Sequence, residues 1–516
     1  MCWKIRQRRE RRLEAALHLL VALAAFVLQL LILLFLRDFL RENAAFAYML
    51  MQVMGFCCSV HVANRREPTE YKVSWILLLI LAPVTGVLLF LLWGGARQSK
   101  QLSLKRKMPP GESESARMKS EHNAEKLLRA YPQWGRLAAY LQRNGFAVYD
   151  QTKATYFPDG QGMFRALLRD MEEAHRFIFL EYFILAEGEL WERMFAILKE
   201  KAREGVEVKI IFDDFGNLTR FSAQTIEAIR EAGIELRIFN PVHKYVNRLY
   251  FNYRDHRKIA CVDGDISYTG GLNIADEYAD IVRRFGYWKD SAVRLEGEGA
   301  WGLTVQFICM WERLGGGLLN EHDYYRSHAN VRADGFCQPL CDGPDNNPQN
   351  PAEETFLQLI TSARRFLYIT TPYLAISDAM LTALCIAAEG GVDVRLMMPG
   401  QPDKKYAYMV AETYFGELLS HGVKIYRYEP GFLHAKSVMV DREAAFVGTV
   451  NMDYRSFHLH YECGVMLYGS PVVEELVEDM DAIFDQSTQI TLEEWKRRGW
   501  LRRTAGSLLR LIAIWM

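Results

Sequence analysis

"DHRKIACVDGDISYTGGLN", Asp255 to Asn273, and "HAKSVMVDREAAFVGTVN", His434 to Asn451, decide the fold when they are read together. Each reads as strand, turn, strand. His256 and Lys258 are two residues apart, so on a strand they share one face while Arg257 looks the other way. His434, Lys436 and Ala435 repeat that arrangement. One copy alone would pass for a charged surface hairpin. Two copies, 178 residues apart, share more than the pair: Asp263 matches Asp441, Gly270 matches Gly448, and Asn273 matches Asn451.

The flanking sequence repeats as well. "AHRFIFLEYFIL" at Ala174 is echoed by "ARRFLYITTPYL" at Ala363, and "AREGVEVKIIF" at Ala202 by "AAEGGVDVRLMM" at Ala387. "RFIFLEYF" and "VEVKIIFDD" are short apolar runs rich in β-branched and aromatic residues, the pattern of buried strands. Between them "ELWERMFAILKEKAREG" has helical period and a glycine stop at Gly205. A repeat this long is no solenoid unit, so it predicts two homologous α/β halves. Packed about a pseudo-twofold axis, they would bring two His, two Lys and two Asn to one pocket.

The chain has 516 residues, a formal net charge of −1 and nine cysteines. A near-neutral balance offers no general argument for nucleic acid. No CxxC pair or Cys/His cluster occurs, which argues against a disulfide framework and a zinc site and for a reducing compartment. Three apolar runs, about residues 15–36, 44–62 and 73–93, approach the roughly 20 residues a membrane span needs. Basic residues precede the first run and follow the third, at Arg97, Lys100, Lys105, Arg106 and Lys107. The positive-inside rule puts both flanks in the cytoplasm, which three full spans cannot do. One run is therefore expected to be re-entrant or interfacial. Pro83 and Gly86 single out the third, while Gln52, Ser59 and His61 make the second a doubtful span. The organisation expected is a membrane region over 1–93, a basic linker over 94–121, a first half over 122–335, a second over 336–490, and a C-terminal segment over 491–516. Within that last segment, "WLRRTAGSLLRLIAIWM" from Trp500 is basic and apolar, suited to an anionic interface or to packing on the body.

Two histidines, two lysines and two amides suit transfer at a phosphodiester. A neutral imidazole attacks phosphorus to give a phosphohistidine. A protonated one gives its proton to the leaving alkoxide and then serves as base for the incoming hydroxyl. Two ammonium groups with Asn273 and Asn451 hold the phosphate oxygens, so neither metal nor cofactor is required. Each imidazole needs an acceptor on its other nitrogen. Asp290 in "YWKDSAVRLEG" and Glu462 in "HYECGVMLYG" are expected to supply it, Asp290 for His256 and Glu462 for His434. Asp263 and Asp441 are expected to fix the turn of each hairpin. The pair Asp213 and Asp214, at a strand end, reads equally well as a solvated loop.

The repeated HxK(x)4D(x)6G(G/S)xN pattern resembles the phospholipase D superfamily, and most of the chain from about Tyr71 is similar to bacterial cardiolipin synthases. "NYRDHRKIACVDGDISYTGGLNIADEY", "GFLHAKSVMVDREAAFVGTVNMDYRSF" and "SWILLLILAPVTGVLLFLLWG" carry the likeness. It implies two phospholipase D-like α/β halves behind N-terminal transmembrane helices. The activity implied is transfer of a phosphatidyl group between two phosphatidylglycerol molecules, giving cardiolipin and glycerol. The alternatives are a membrane phospholipase D that hydrolyses its lipid and a transferase using another alcohol. The family's functional positions fall on His256, Lys258, Asp263, His434, Lys436 and Asp441, with His256 as nucleophile by the superfamily's usual order. Gly271 and Thr449 differ at the glycine-serine position, a change expected to matter little. The partners implied are phosphatidylglycerol and anionic membrane lipids, without nucleic acid, and self-association is compatible with the sequence. The location implied is a multi-pass place in the plasma membrane with a cytoplasmic body.

Overall fold

The repeated apolar runs become the centres of two sheets with the same strand order. The computed structural model describes residues 44–65, 67, 69–93, 114–242, 253–326, 331, 335–346, 349–511 and 513. The first sheet contains β1 (Thr152–Phe157), β2 (Phe177–Tyr182), β3 (Glu207–Asp213), β4 (Glu235–Phe239), β6 (Lys258–Val262), β7 (Ile266–Gly270) and β9 (Ala292–Gly297). Their order is β1-β9-β7-β6-β2-β3-β4. The second contains β10 (Phe336–Asp342), β11 (Phe366–Thr370), β13 (Asp393–Pro399), β14 (Lys424–Tyr428), β16 (Ser437–Val440), β17 (Ala444–Gly448), β19 (His460–Tyr468) and β20 (Ser487–Ile490). It runs β10-β19-β17-β16-β11-β13-β14-β20, the same path plus one edge strand. Five short strands complete the set: β5 (Arg254–Asp255), β8 (Tyr287–Lys289), β12 (Leu374–Ala375), β15 (Gly431–Leu433) and β18 (Met452–Asp453).

β2 is parallel to β3 and antiparallel to β6, and β11 bears the same relation to β13 and β16. Every side chain of β2 is buried, because helices cover both faces. Trp191, Met194 and Leu198 of the helix Glu189–Arg203 join Ile178, Leu180 and Ile210 in one core. On the other face Phe179 stacks on Phe307 of the helix Glu298–Arg313, with centroids 4.6 Å apart. The sheets meet where Thr269 Oγ1 lies 3.4 Å from Cys463 Sγ and Ser291 Oγ lies 2.9 Å from Ser437 Oγ.

Each hairpin turn is tied to the first strand of its own half. Asp263 and Asp441 have φ of 57° and 54°, the left-handed region that aspartate tolerates better than most residues. The Asp263 carboxylate accepts from the backbone N–H groups of His175, Arg176 and Phe177 at 2.7–2.9 Å. Asp441 does the same for Arg364, Arg365 and Phe366. Asp441→Ala strands three donors and strains the turn, so it is expected to cost about 2–4 kcal/mol. Asp441→Asn, which keeps one acceptor and tolerates the turn, is expected to cost less. Thermal unfolding of both variants checks this ordering.

The N-terminal helices form a separate compact unit. The run over 15–36 lies outside the described residues, as does most of the linker. α1 (Ala44–Ala63) contains, over Ala45–Ala63, the one described helix long and apolar enough to cross a membrane. Of its polar residues, Ser59 is satisfied within the helix, its Oγ donating to Gly55 O at 2.8 Å. The third run divides into α2 (Thr69–Leu81) and α3 (Pro83–Trp93). Pro83 lacks the N–H that would continue α2. Gly86 lets the two pieces close up, as a Cβ there would sit 2.6 Å from Leu78 O. Val62, Trp75, Leu79, Val87 and Phe90 form the core of this unit.

In the body, α4 (Lys405–Ser420), α5 (Tyr454–His458) and α6 (Trp500–Arg510) matter below. α6 docks with its polar side inward: Arg502 makes two bonds to Glu412 at 2.8 and 2.9 Å, and Arg510 lies over the Tyr414 ring. Its apolar residues Trp500, Leu501 and Leu508, and Leu511 just beyond its end, stand exposed. This reverses the usual arrangement of a surface helix.

Candidate active site

The site begins with two short strands that leave their own half. β5 pairs in parallel with β19, setting Asp255 against Tyr461, and His256 N donates to Tyr461 O at 2.9 Å. β15 pairs in parallel with β8, setting Leu433 against Lys289, and His434 N donates to Lys289 O at 2.7 Å. The next residue along each partner strand is the acid. His256 Nδ1 therefore meets Glu462, at 2.9 and 3.0 Å from its two oxygens, and His434 Nδ1 meets Asp290 Oδ2 at 2.6 Å.

Both acids do orient a histidine, but the pairing expected from chain order, Asp290 with His256 and Glu462 with His434, is corrected. Each carboxylate serves the histidine of the other half. The reason is the reciprocal strand exchange, which carries β5 and β15 across the interface.

Lys258 and Lys436 point to the same side as their histidines, and each ammonium donates to the carbonyl of the histidine two residues before it. Arg257 faces away, 2.6 Å from Glu181. Asp263 and Asp441 stand at the far ends of β6 and β16, with their oxygens on backbone amides. The catalytic part that the resemblance implies for these two is corrected to a structural one. Asn273 lies behind the pocket wall: its Oδ1 accepts from Ile184 N at 3.0 Å and its Nδ2 donates to the Tyr278 hydroxyl at 2.7 Å. Asn451 Nδ2 donates to Ser456 Oγ at 3.1 Å, while its Oδ1 is buried without a hydrogen-bond partner among the described residues.

Three residues that shape the site were not assigned to it from the sequence. Asp213 is fully buried rather than in a solvated loop. Its Oδ2 accepts from Asp255 N at 3.0 Å and its Oδ1 from Phe215 N at 2.8 Å, so it anchors β5 and hence His256. Burial pushes its carboxyl up to about 7. Thr449 donates its hydroxyl to Glu462 Oε2. Gly271, at the matching place, leaves room for Asp290, since a Cβ there would lie 2.0 Å from Asp290 Oδ1. The exchange of Gly271 for Thr449, expected to matter little, thus changes what each carboxylate touches. The third, His460, has its ring 5.5 Å from that of His256.

His256, His460 and Glu462 are close enough together to suggest a cation site. However, Arg455 Nε donates to His460 Nε2 at 3.2 Å, which leaves the proton on Nδ1. Nδ1 then faces Glu462 as a donor rather than as a ligand.

The pocket is buried and rich in positive groups. Burial and Lys258 hold His256 well below the ordinary histidine range. Burial and Lys436 bring His434 down to about 4, against the pull of Asp290. Burial works to raise Asp290, but His434 and Lys436 outweigh it and hold the carboxyl below its usual range. Burial also lowers Lys258 to about 8 and Lys436 to about 7. Both lysines are charged below those values and lose their protons as pH rises through them. An anionic ligand favours the charged forms, so KM for an anionic substrate is expected to rise by about tenfold or more from pH 6.5 to 9. Initial rates in mixed micelles across that range measure it.

Residues 167–282 and 356–486 match the family described as "Cardiolipin synthase, PLD-like domain", and residues 56–95 match "Phospholipase_D-nuclease N-terminal". A cardiolipin synthase of Halalkalibacterium halodurans is 33% identical over 91% of this chain and 93% of its own length. The cardiolipin synthase 2 of Bacillus cereus is 35% identical over 88% of each chain. The crystal structure of a phosphatidylserine synthase from Haemophilus influenzae covers 74% of this chain and all of its own, with a TM-score of 0.58 at 15% identity. That last likeness concerns the fold.

Proposed function

Because this chain belongs to the phospholipase D-like cardiolipin synthase family, and is thus an enzyme of the phospholipid transferase type, we propose that it joins two phosphatidylglycerol molecules through a phosphohistidine. The observation that carries this reading is the pair of buried imidazoles, each held by a carboxylate from the other half and flanked by a lysine. His256 Nε2 forms a bond to phosphorus as the bond to the glycerol oxygen breaks. His434 gives that oxygen its proton, and glycerol leaves. The hydroxyl of a second phosphatidylglycerol then yields its proton to His434. Its oxygen bonds to phosphorus, breaking the P–N bond and releasing cardiolipin.

Burial and the neighbouring lysines keep both imidazoles neutral, which suits the attacking one. A bound phosphodiester offsets the lysine charge and returns proton affinity to His434, which suits the acid. Lys258 and Lys436 neutralise the equatorial oxygens.

The lipid enters from a bilayer in this reading. α1 is the described candidate span, and the outward apolar residues of α6, flanked by Arg497 and Arg503, suit an anionic interface. A multi-pass place in the plasma membrane with a cytoplasmic body agrees with the basic flanks of the apolar runs. Purified full-length enzyme incubated with phosphatidylglycerol alone tests the function. Cardiolipin and glycerol in equal amounts support it. Phosphatidic acid as main product makes the protein a hydrolase instead, and transfer only to an added alcohol makes it a different transferase.

A further inference from the structure

The two half-sites correspond position by position, and the correspondence exposes a difference. Lys289 and Tyr461 hold equivalent register positions, so Asp290 matches Glu462 and Trp288 matches His460. The Trp288 ring stands 5.2 Å from the ring of His434, where His460 stands beside His256. One half-site thus has an indole where the other has a third imidazole.

We propose that His460, fixed by Arg455, is a positioning residue that shares Glu462 with His256, makes His256 the less basic imidazole and so the nucleophile, and leaves His434 to carry the proton. The assignment of roles rests on the transfer reading given above. Arg455 leads from α5 and donates to His460 Nε2, so the proton of His460 sits on Nδ1. Nδ1 is buried, 3.6 Å from Glu462 Oε1, and has no hydrogen-bond partner among the described residues.

Glu462 therefore answers to three donors: His256, the Thr449 hydroxyl and, electrostatically, His460. Asp290 answers to His434 and to the N–H of its neighbour Ser291, at 2.9 Å. A carboxylate whose charge is divided among more donors supports each partner's positive form less. His434, with the less divided acceptor and the shorter bond, is the better proton carrier. His256 faces Lys258, Lys436, His434 and Lys404. His460 faces Arg455, Glu462 and His256, and burial foremost keeps it neutral. Asp453 is the further carboxylate near Glu462. None of these replaces the donor that His460 supplies.

His460→Ala removes the third donor. Glu462 then supports a charged His256 more fully, and the acidic limb of kcat/KM is expected to move up by about one pH unit. His460→Asn puts an amide N–H back toward Glu462 and is expected to return the limb toward its wild-type place. Loss of rate in both variants with an unmoved limb would mean that His460 only fills space, and would overturn the proposal. Thr449→Val removes a different donor from the same carboxylate and is expected to shift the limb the same way, so the test survives if one variant folds poorly. Mass spectrometry of wild-type enzyme quenched in the first turnover supplies the second readout. A phosphatidyl adduct on His256 supports the assignment, and one on His434 overturns it. A shifted limb with no adduct on either histidine removes the covalent reading while leaving His460 in control of His256.

Discussion

His256→Ala is expected to lower cardiolipin formation by a factor on the order of 10⁴ or more, to background. The substitution removes the atom that would bond to phosphorus. The backbone bond from residue 256 to Tyr461 does not depend on the side chain, so β5 stays paired with β19 and the fold is expected to survive. Loss of rate would then report chemistry, and the thermal unfolding midpoint checks it. His434→Ala is expected to be as damaging with phosphatidylglycerol but to differ with an activated donor. A phosphatidyl ester of a nitrophenol needs no acid for its leaving group. With it, the His434 variant is expected to form the adduct and then stall, because no base remains for the incoming hydroxyl. The His256 variant forms no adduct with either donor. An adduct in His256→Ala would send the nucleophile to the other half.

Asp290→Asn carries the second largest expected effect, a loss of about 10²- to 10⁴-fold. The amide presents an N–H where the carboxylate accepted one, so the His434 imidazole is driven to the other tautomer and loses the charge that stabilises its protonated form. What makes this prediction specific is where the effect lands. Asp290 lies in the first half, yet its partner is the histidine of the second, at 2.6 Å. Adding Asp290→Asn to His434→Ala is therefore expected to leave adduct formation from the activated donor unchanged, because that step belongs to His256, whereas adding Glu462→Gln to His434→Ala is expected to slow it. If Asp290→Asn instead slowed that adduct formation, the crossed geometry would be wrong.

Much of this architecture can be read from one dimension. His256 with Lys258 and His434 with Lys436 emerge from strand alternation alone, because a two-residue spacing settles which face they share. The duplicated core emerges because β2 and β3, and β11 and β13, are buried runs whose composition has little freedom. Pro83 marks the break between α2 and α3 for an equally local reason. The crossed acids were illegible because they depend on contacts 206 and 144 residues apart, made by strands of two or three residues that carry no pattern of their own. Chain order offered the nearer acid, and the strand exchange chose the other. Asp213 was ambiguous for a similar cause, since a DD pair at a strand end looks solvated until Asp255 and Arg254 are folded over it. His460 gave no signal, because its importance depends on Arg455 and Glu462 meeting it in space.

The exchange of β5 and β15 between halves also has a consequence for how the protein is made. His256 is synthesised well before the acid that completes it, and that acid lies in β19, near the end of the body. A nascent chain stopped before β15 carries neither half-site, and one stopped before β19 carries at most one. A ribosome working beside a bilayer full of phosphodiesters is therefore not trailing a live lipid-cleaving fragment. The two-histidine site is complete only once β19 has joined it, so timing of synthesis does the work that an inhibitory propeptide does elsewhere.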